Sequence, residues 1–472
     1  MHRANLSRRG FVQSSIAALG AAGLPSWYAA DAVAAAESAD AIRKDDSAIR
    51  FGCIGIGSQH SRGLAIYNDA RSQQVHKTQF LACCDVDANH LGRGVARMQT
   101  HGFKTVTAYH DFRDLNDRKD IDAVMIATPD HWHALIAIDA MKKGKDVYCE
   151  KPLTLTIEEA LALQKVAKKT GRVMATGSQQ RSDHRFRMAC ELVRNGRIGQ
   201  VKTVECRIGS NPISGPIPKK PIPESFDYEM WLGPTPMADY VSDDKHARCN
   251  YEFRWWYEYS GGKMTDWGAH HLDIAQWALG KDGSGPIAVE VIKATEPSND
   301  PNEYNTHPEF HVQYTYEEGT KVIAMHGDGT GPHRLVDKDG NVPRKGDGTE
   351  VQIGPSENGV LFVGTEGMVF VSRSTILASD AKLLAEPLSN GAVRLEVSPD
   401  HMVNFLDCVK SRKKPICSVD VGASSVIVCH LGTIALRTGE KLRWDPVRHQ
   451  FDDAEANAML SRKMREPWKL EA

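Results

Sequence analysis

Ten cysteines are present in this chain of 472 residues, yet no two stand in a C-x-x-C pair, so a zinc cluster of that kind has no ligands to start from. Cys53, Cys83, Cys84 and Cys149 lie inside apolar runs, where a thiol serves as a small buried hydrophobe rather than as half of a disulfide framework. No sustained Lys/Arg run occurs and the formal net charge is −2, so the electrostatic footprint of a nucleic-acid binder is missing. Gly/Ser and Gln/Asn tracts are missing too, as is any repeat of solenoid period, which excludes low-complexity and stacked-repeat architectures. What is left is an ordinary globular composition, 41% hydrophobic and 25% charged. The length fits two or three domains and a core that needs no disulfide or metal.

The N-terminus departs from that average. Ser7-Arg8-Arg9-Gly10-Phe11 precedes a mildly apolar run from Ile16 to Leu24 and an Ala-rich stretch to Ala36. A charged region, a short apolar region and small residues at a cleavage point make a secretory signal, and the paired arginines resemble the twin-arginine type. Residues 1–36 are therefore expected to be a signal peptide, cut after Ala36 or Ala34, that takes the protein through the twin-arginine translocase to the periplasm or beyond. The other reading is a frayed amphipathic helix. The apolar run is too short to span a bilayer stably. Residues 37–48 read as a polar linker.

From Ile49 the pattern alternates short apolar strands with helices. Strands are expected at Ile49–Ile56, Phe80–Cys84, Ala123–Ala127, Asp146–Cys149 and Val173–Thr176. Helices are expected at 63–70, 90–100, 133–143 and 157–170. Such alternation implies βαβ units and a parallel sheet buried on both faces. After about Gly177 the rhythm changes. Helices are expected at 185–195, 266–279, 401–410 and 423–438, and strands at 201–208, 311–316, 321–326 and 368–372. The Pro-rich stretch Asn211–Pro223 cannot be a regular helix or central strand, and 329–356 reads as a surface loop or hairpin. The fold class is α/β: an N-terminal dinucleotide-binding Rossmann domain over 49–176, then an α+β domain over 177–472 with a mostly antiparallel sheet.

Four constellations carry chemistry. Gly52-Cys53-Ile54-Gly55-Ile56-Gly57 ends the first strand, where glycines let backbone N–H groups approach a pyrophosphate. The G-x-G-x-x-G spacing is not met, because His60 stands in the third glycine's place, and an ordinary strand-to-helix turn would also fit. Asp85 ends the second strand, where a carboxylate binds an adenosine ribose and repels a 2′-phosphate; this favours NAD over NADP, with Asp87 the secondary occupant. Thr128-Pro129-Asp130-His131-Trp132-His133 and Glu150-Lys151-Pro152 each follow a strand. Thr128, Pro129, His133, Glu150 and Lys151 thus join Gly55, Gly57 and Asp85 as candidate cofactor contacts. Lys151 can also polarise a reacting oxygen, or simply snorkel at a strand end. Gly261 to Asp273 contains Asp266 and His270, i,i+4 on one helix face. A carboxylate beside that imidazole would orient it for proton abstraction. A structural acid with a half-buried histidine, or a metal site with His131 or His133, would also account for the pair.

Together these residues resemble the Gfo/Idh/MocA family of glucose–fructose oxidoreductases and inositol dehydrogenases, from about Ile49 to the end. The resemblance implies an NAD(P)-dependent oxidoreductase of a sugar, sugar derivative or polyol, with no metal, in which Lys151, Asp266 and His270 are catalytic and His270 is the base. It also implies an open sheet of six or more strands in the second domain, used for homo-oligomerisation. In an exported enzyme the NAD would be tightly bound. The alternatives are an NAD-dependent glycosidase acting by transient oxidation and elimination, and a non-catalytic sugar-binding protein of the same fold.

Overall fold

The computed structural model describes residues 17, 20, 23–30, 33, 47–57, 77–326, 333–344 and 348–472. The Arg8-Arg9 pair, His60 and the helix expected at 63–70 lie outside the described residues.

The first domain is built on a parallel sheet of β1 (Ile49–Ile54), β2 (Thr78–Cys84), β3 (Thr107–Tyr109), β4 (Ala123–Ile126), β5 (Asp146–Cys149) and β6 (Met174–Thr176), in the order β3-β2-β1-β4-β5-β6. Both faces are covered, which is why its strands are nearly continuous apolar runs. Phe51, Phe80 and Tyr148 face one side, and Ile54, Val124 and Val147 the other. The helices α1 (Ala88–Thr100), α2 (Asp130–Lys142) and α3 (Ile157–Thr170) follow β2, β4 and β5. Strand order reverses between β1 and β4, so the crevice for a ligand opens at the carboxyl ends of those strands. Phe405 packs on Phe51 and Tyr148, so the late helix His401–Ser411 helps to cover the Rossmann sheet.

The second domain holds a larger sheet. Its strands are β7 (Val201–Arg207), β8 (Ala288–Ala294), β9 (Phe310–Thr315), β10 (Lys321–Met325), β13 (Gly359–Gly364), β14 (Met368–Val371), β15 (Ile376–Ala378), β16 (Leu442–Asp445) and β17 (Gln450–Phe451). They run in the order β15-β14-β13-β7-β10-β9-β8-β16-β17. The β7–β10 pair is parallel and the other pairs are antiparallel. The expected loop or hairpin over 329–356 contains a small antiparallel pair, β11 (His333–Arg334) with β12 (Gln352–Ile353). The sheet is covered by α4 (His184–Arg194), α5 (Gly268–Leu279) and α6 (Val419–Thr438). The last is long and apolar enough to cross a membrane, but most of it is buried inside the protein as a core helix.

The domains are tied together by several contacts. His430 on α6 places Nε2 2.9 Å from the Thr154 carbonyl oxygen. Arg462 donates to the His131 carbonyl at 2.7 Å, and Trp468 packs edge-on against Trp132 with ring centres 4.7 Å apart. Within the expected signal peptide, Tyr28 is buried beneath the Arg187 guanidinium of α4, 4.7 Å from the ring centre.

Candidate active site

A cavity of about 350 Å³ opens at the carboxyl ends of β1, β2, β4 and β5 and is closed from above by the second domain. Its floor is the glycine turn after β1. Gly55 has φ +78, and a Cβ there would lie 2.7 Å from the Ala127 carbonyl carbon and the Thr128 nitrogen. A Cβ at Gly57 would collide with His90 and stand 2.6 Å from an Asp85 carboxylate oxygen. Only bare backbone fits at either place, the arrangement that lets a pyrophosphate come close. Asp85 lines the cavity, whereas the Asp87 carboxylate caps α1, accepting the Asn89 and His90 N–H groups at 2.8 and 3.2 Å. The Asp85 carboxylate, 3.8 Å from His90 Nδ1, raises that imidazole above its ordinary value.

Thr128 and Pro129 line the cavity where β4 turns into α2. The Thr128 hydroxyl is buried without a hydrogen-bond partner among the described residues, which leaves a polar atom for a bound group to satisfy. Glu150 also lines the cavity and accepts the Gln179 amide at 3.4 Å. These residues fit a dinucleotide: Gly55 and Gly57 would hold its pyrophosphate, Asp85 its adenosine ribose, and Thr128, Pro129 and Glu150 the end nearer the chemistry. His133 is placed differently from the expectation. It is buried below the cavity, its two ring nitrogens 2.8 and 2.9 Å from the Pro152 and Thr128 carbonyl oxygens, so it braces the two turns instead of touching a ligand.

Lys151 emerges directly after β5. Its ammonium donates to the Asp266 carboxylate at 2.5 Å and to the Asp266 carbonyl at 3.0 Å. Burial alone would raise the Asp266 carboxyl, but Lys151, Arg254 and Lys263 outweigh it and hold the group well below the ordinary carboxylate range. The expected pairing of Asp266 with His270 is corrected here. The helix is interrupted at Trp267, between Lys263–Asp266 and α5, and the Asp266 carboxylate turns to the Lys151 cation, with Arg254 Nε 3.5 Å away. The ammonium and guanidinium give this carboxylate full opposite charges at contact distance. His270 lines the same cavity, 5% exposed, and packs edge-on against Trp267.

The neighbouring polar residues serve the scaffold. Asp273, fully buried, forms a bidentate pair with Arg181 at 2.8 Å and accepts the Ser425 hydroxyl at 2.5 Å. His131, weighed as a metal partner, sits among Trp231 and Tyr259 with Nε2 2.9 Å from the Trp231 carbonyl. Burial pushes the Asp130 carboxyl up to about 7, against the Ser260 hydroxyl that donates to it at 2.5 Å and the charges of Arg254 and Lys151. Asp130, Gln179, Arg254, Trp267 and Arg373 also line the cavity. Asp130 and Arg254 stand inside motifs visible in the sequence, while Arg373 sits in a strand-end turn that carries no motif.

Residues 49–178 match the model of an oxidoreductase family's NAD-binding Rossmann fold, and residues 214–339 and 362–470 match that of its C-terminal alpha/beta domain. The chain belongs to the Gfo/Idh/MocA oxidoreductase family. It is 31% identical over 157 residues to a Glycosyl hydrolase family 109 protein of Shewanella putrefaciens, covering 32% of this chain and 33% of that one. It is 30% identical over 163 residues to an Inositol 2-dehydrogenase of Salmonella typhimurium, covering 34% and 45%. The alignments thus span a third to under half of the length of these curated relatives. Among solved structures it resembles the WlbA dehydrogenase of Bordetella pertussis, in complex with NADH and UDP-GlcNAcA. The TM-score is 0.57 at 15% identity, over 84% of this chain and 99% of that one. That likeness is one of fold.

Proposed function

We propose that the chain is an exported, NAD-dependent enzyme that transfers hydride at a carbinol carbon of a sugar, sugar derivative or polyol. The observation that carries this reading is the convergence of Lys151 from the first domain with Asp266 and His270 from the second, in one cavity whose floor is the Gly55–Gly57 turn. NAD, when bound, supplies the ring that accepts or returns the hydride. Two of the three Lys151 N–H donors are engaged by Asp266 among the described residues, and the third would serve the reacting oxygen. His270 takes the hydroxyl proton as the carbonyl forms and gives it back in reverse. Asp266 positions Lys151. Trp267 and Tyr251, which also line the cavity, limit access of water.

The likeness to glycosyl hydrolase family 109 proteins supports a second reading in which the same residues serve a redox-neutral glycosidase. There, transient oxidation would acidify a neighbouring C–H, elimination would break the glycosidic bond and release the aglycone, water would add to the double bond so formed, and return of the hydride would restore the carbinol. Tight retention of the dinucleotide belongs to both readings, since free nucleotide is scarce outside the cytoplasm. The partners in this proposal are a small sugar or polyol, the twin-arginine translocase during export, and other copies of the chain.

The test begins with mass spectrometry of the small molecule released when the purified protein is denatured. The holoenzyme is then assayed on sugar pairs, polyols and aryl glycosides, with the nicotinamide absorbance followed. Released NAD with net turnover of a sugar or polyol supports the dehydrogenase; aryl glycoside cleavage without net absorbance change supports the glycosidase. Absence of nucleotide, or of turnover on all three classes, overturns the proposal. Export is tested separately: replacing Arg8 and Arg9 by Lys should leave the protein in the cytoplasm, and unchanged export in a strain lacking the translocase refutes it.

A further inference from the structure

We infer that the adenosine half of NAD is held by both domains: residues 225–232 of the second domain clamp it to the first, and Phe226 and Met230 are contacts of the adenine base. This rests on the proposed binding of NAD in the cavity and gives its retention a structural device.

The Pro-rich stretch ends at Pro223, whose carbonyl accepts the Phe226 N–H at 3.0 Å, so the chain turns just before it meets the first domain. Residues 225–227 then run along the turn that joins β2 to α1. The Ala88 N–H donates to the Ser225 carbonyl at 2.8 Å, and the Asp227 N–H donates to the Val86 carbonyl at 2.9 Å. Phe226 is thereby paired with Asp87 in an antiparallel bridge. The Asn89 amide adds a bond to the Ser225 hydroxyl at 3.0 Å. Asp227 caps the short helix Tyr228–Leu232, its carboxylate accepting the Met230 N–H at 2.9 Å. Near the end of that helix the Trp231 carbonyl accepts the Trp132 indole N–H at 2.9 Å and lies 2.9 Å from His131 Nε2. The segment is therefore fastened to the first domain twice, at the turn after β2 and at the start of α2.

The first fastening lies beside the ribose position. Asp85 stands two residues before Asp87, and the adenine base hangs from the ribose that Asp85 is proposed to hold. Phe226 and Met230 line the cavity, as do Val86, Phe112 and Ile136 of the first domain. These five side chains are apolar, and an aromatic ring and a thioether are surfaces on which the flat face of a base packs well. Phe226 is 9% exposed, with its ring centre 5.7 and 6.4 Å from those of Tyr228 and Trp231, so packing fixes its place before any nucleotide binds. A base held there is released when the pairing of 225–227 with the turn after β2 opens.

The experiment is exchange of the NAD in the holoenzyme for isotopically labelled NAD, without sugar, read by mass spectrometry of the nucleotide released on denaturation. It is repeated with Phe226→Ala, Met230→Ala and Asn89→Ala, with circular dichroism as the check on folding. Phe226→Ala should exchange about tenfold or more faster than wild type, through loss of one aromatic–base stack. Asn89→Ala alters an exposed side chain and should exchange about fivefold faster, through loss of one hydrogen bond of the clamp; it carries the test if Phe226→Ala does not fold. Asp273→Asn, a buried change elsewhere in the second domain, is the control for general loosening and should exchange at the wild-type rate. Wild-type exchange rates in both Phe226→Ala and Asn89→Ala overturn the inference, as does equal acceleration by Asp273→Asn. The absolute wild-type rate tests retention itself, while the ratio of variant to wild type tests the clamp, so the failure of one is distinguishable from the failure of the other.

Discussion

Lys151 is partly buried and donates twice to Asp266, and in the proposed mechanism its remaining N–H meets the reacting oxygen. Removal of a general acid–base group costs about 10²–10⁴-fold in rate. Lys151→Ala and His270→Ala should each lose turnover on that scale while retaining the fold and the bound nucleotide, as read by steady-state assay and mass spectrometry. Near-normal turnover of His270→Ala would remove it as the base. Asp130 offers a second residue-scale measurement. Its folded carboxyl is raised from 3.8 to about 7, so between those values the folded state binds a proton that the unfolded state has lost. Stability contributed by this group is present below about pH 4 and declines as pH rises toward 7. Asp130→Asn should flatten that slope. The check is the difference in thermal midpoint between wild type and variant across pH 4–7, and a constant difference would contradict it.

At the scale of elements, the turn after β1 has the tightest requirement. Gly57→Ala would drive a methyl group into His90 and against Asp85, displacing the carboxylate proposed to hold the ribose along with the turn. The expected outcome is loss of co-purifying NAD with little change in secondary structure, measured by nucleotide content and circular dichroism. Much of this layer was legible beforehand. β1, β2, β4, β5 and β6 are buried on both faces, so their apolar runs announce themselves, and the residues placed after them line the cavity by topology alone. Strand β3 was not legible because it is short and largely exposed, and the edge strands β15 and β17 because they are short; β8 was hidden by its mostly half-exposed pattern, and β13 and β16 were not expected either. The i,i+4 spacing brought Asp266 and His270 to one cavity but could not show that Asp266 would turn to Lys151, 115 positions away. His133 looked like a ligand contact because a strand end predicts position along the chain, not the direction of a side chain. Arg373 belongs to no motif, and only the packing of its turn on Trp267 brings it to the site.

Across the whole molecule, the two domains share walls instead of meeting at a simple seam. In the second domain, Arg181 bridges Asp273 on α5 and Asp282 beyond it at 2.8 and 2.6 Å, behind the helix that carries His270. Breaking a buried pair by removing one partner costs about 3–5 kcal/mol. Asp273→Asn should therefore destabilise the protein on that scale, with a lower midpoint in urea; an unchanged midpoint would show that the pair is dispensable. The first domain in turn depends on distant chain. Phe405 covers its sheet, and Arg462 and Trp468 close over His131 and Trp132. His131 and Arg462 are 331 positions apart, so a ribosome exposes the indole of Trp132 long before it makes the residues that cover it. The order of synthesis and the order of packing are opposed: the nucleotide-binding half emerges first and is finished last, and a nascent chain halted short of residue 462 would present that uncovered wall to chaperones.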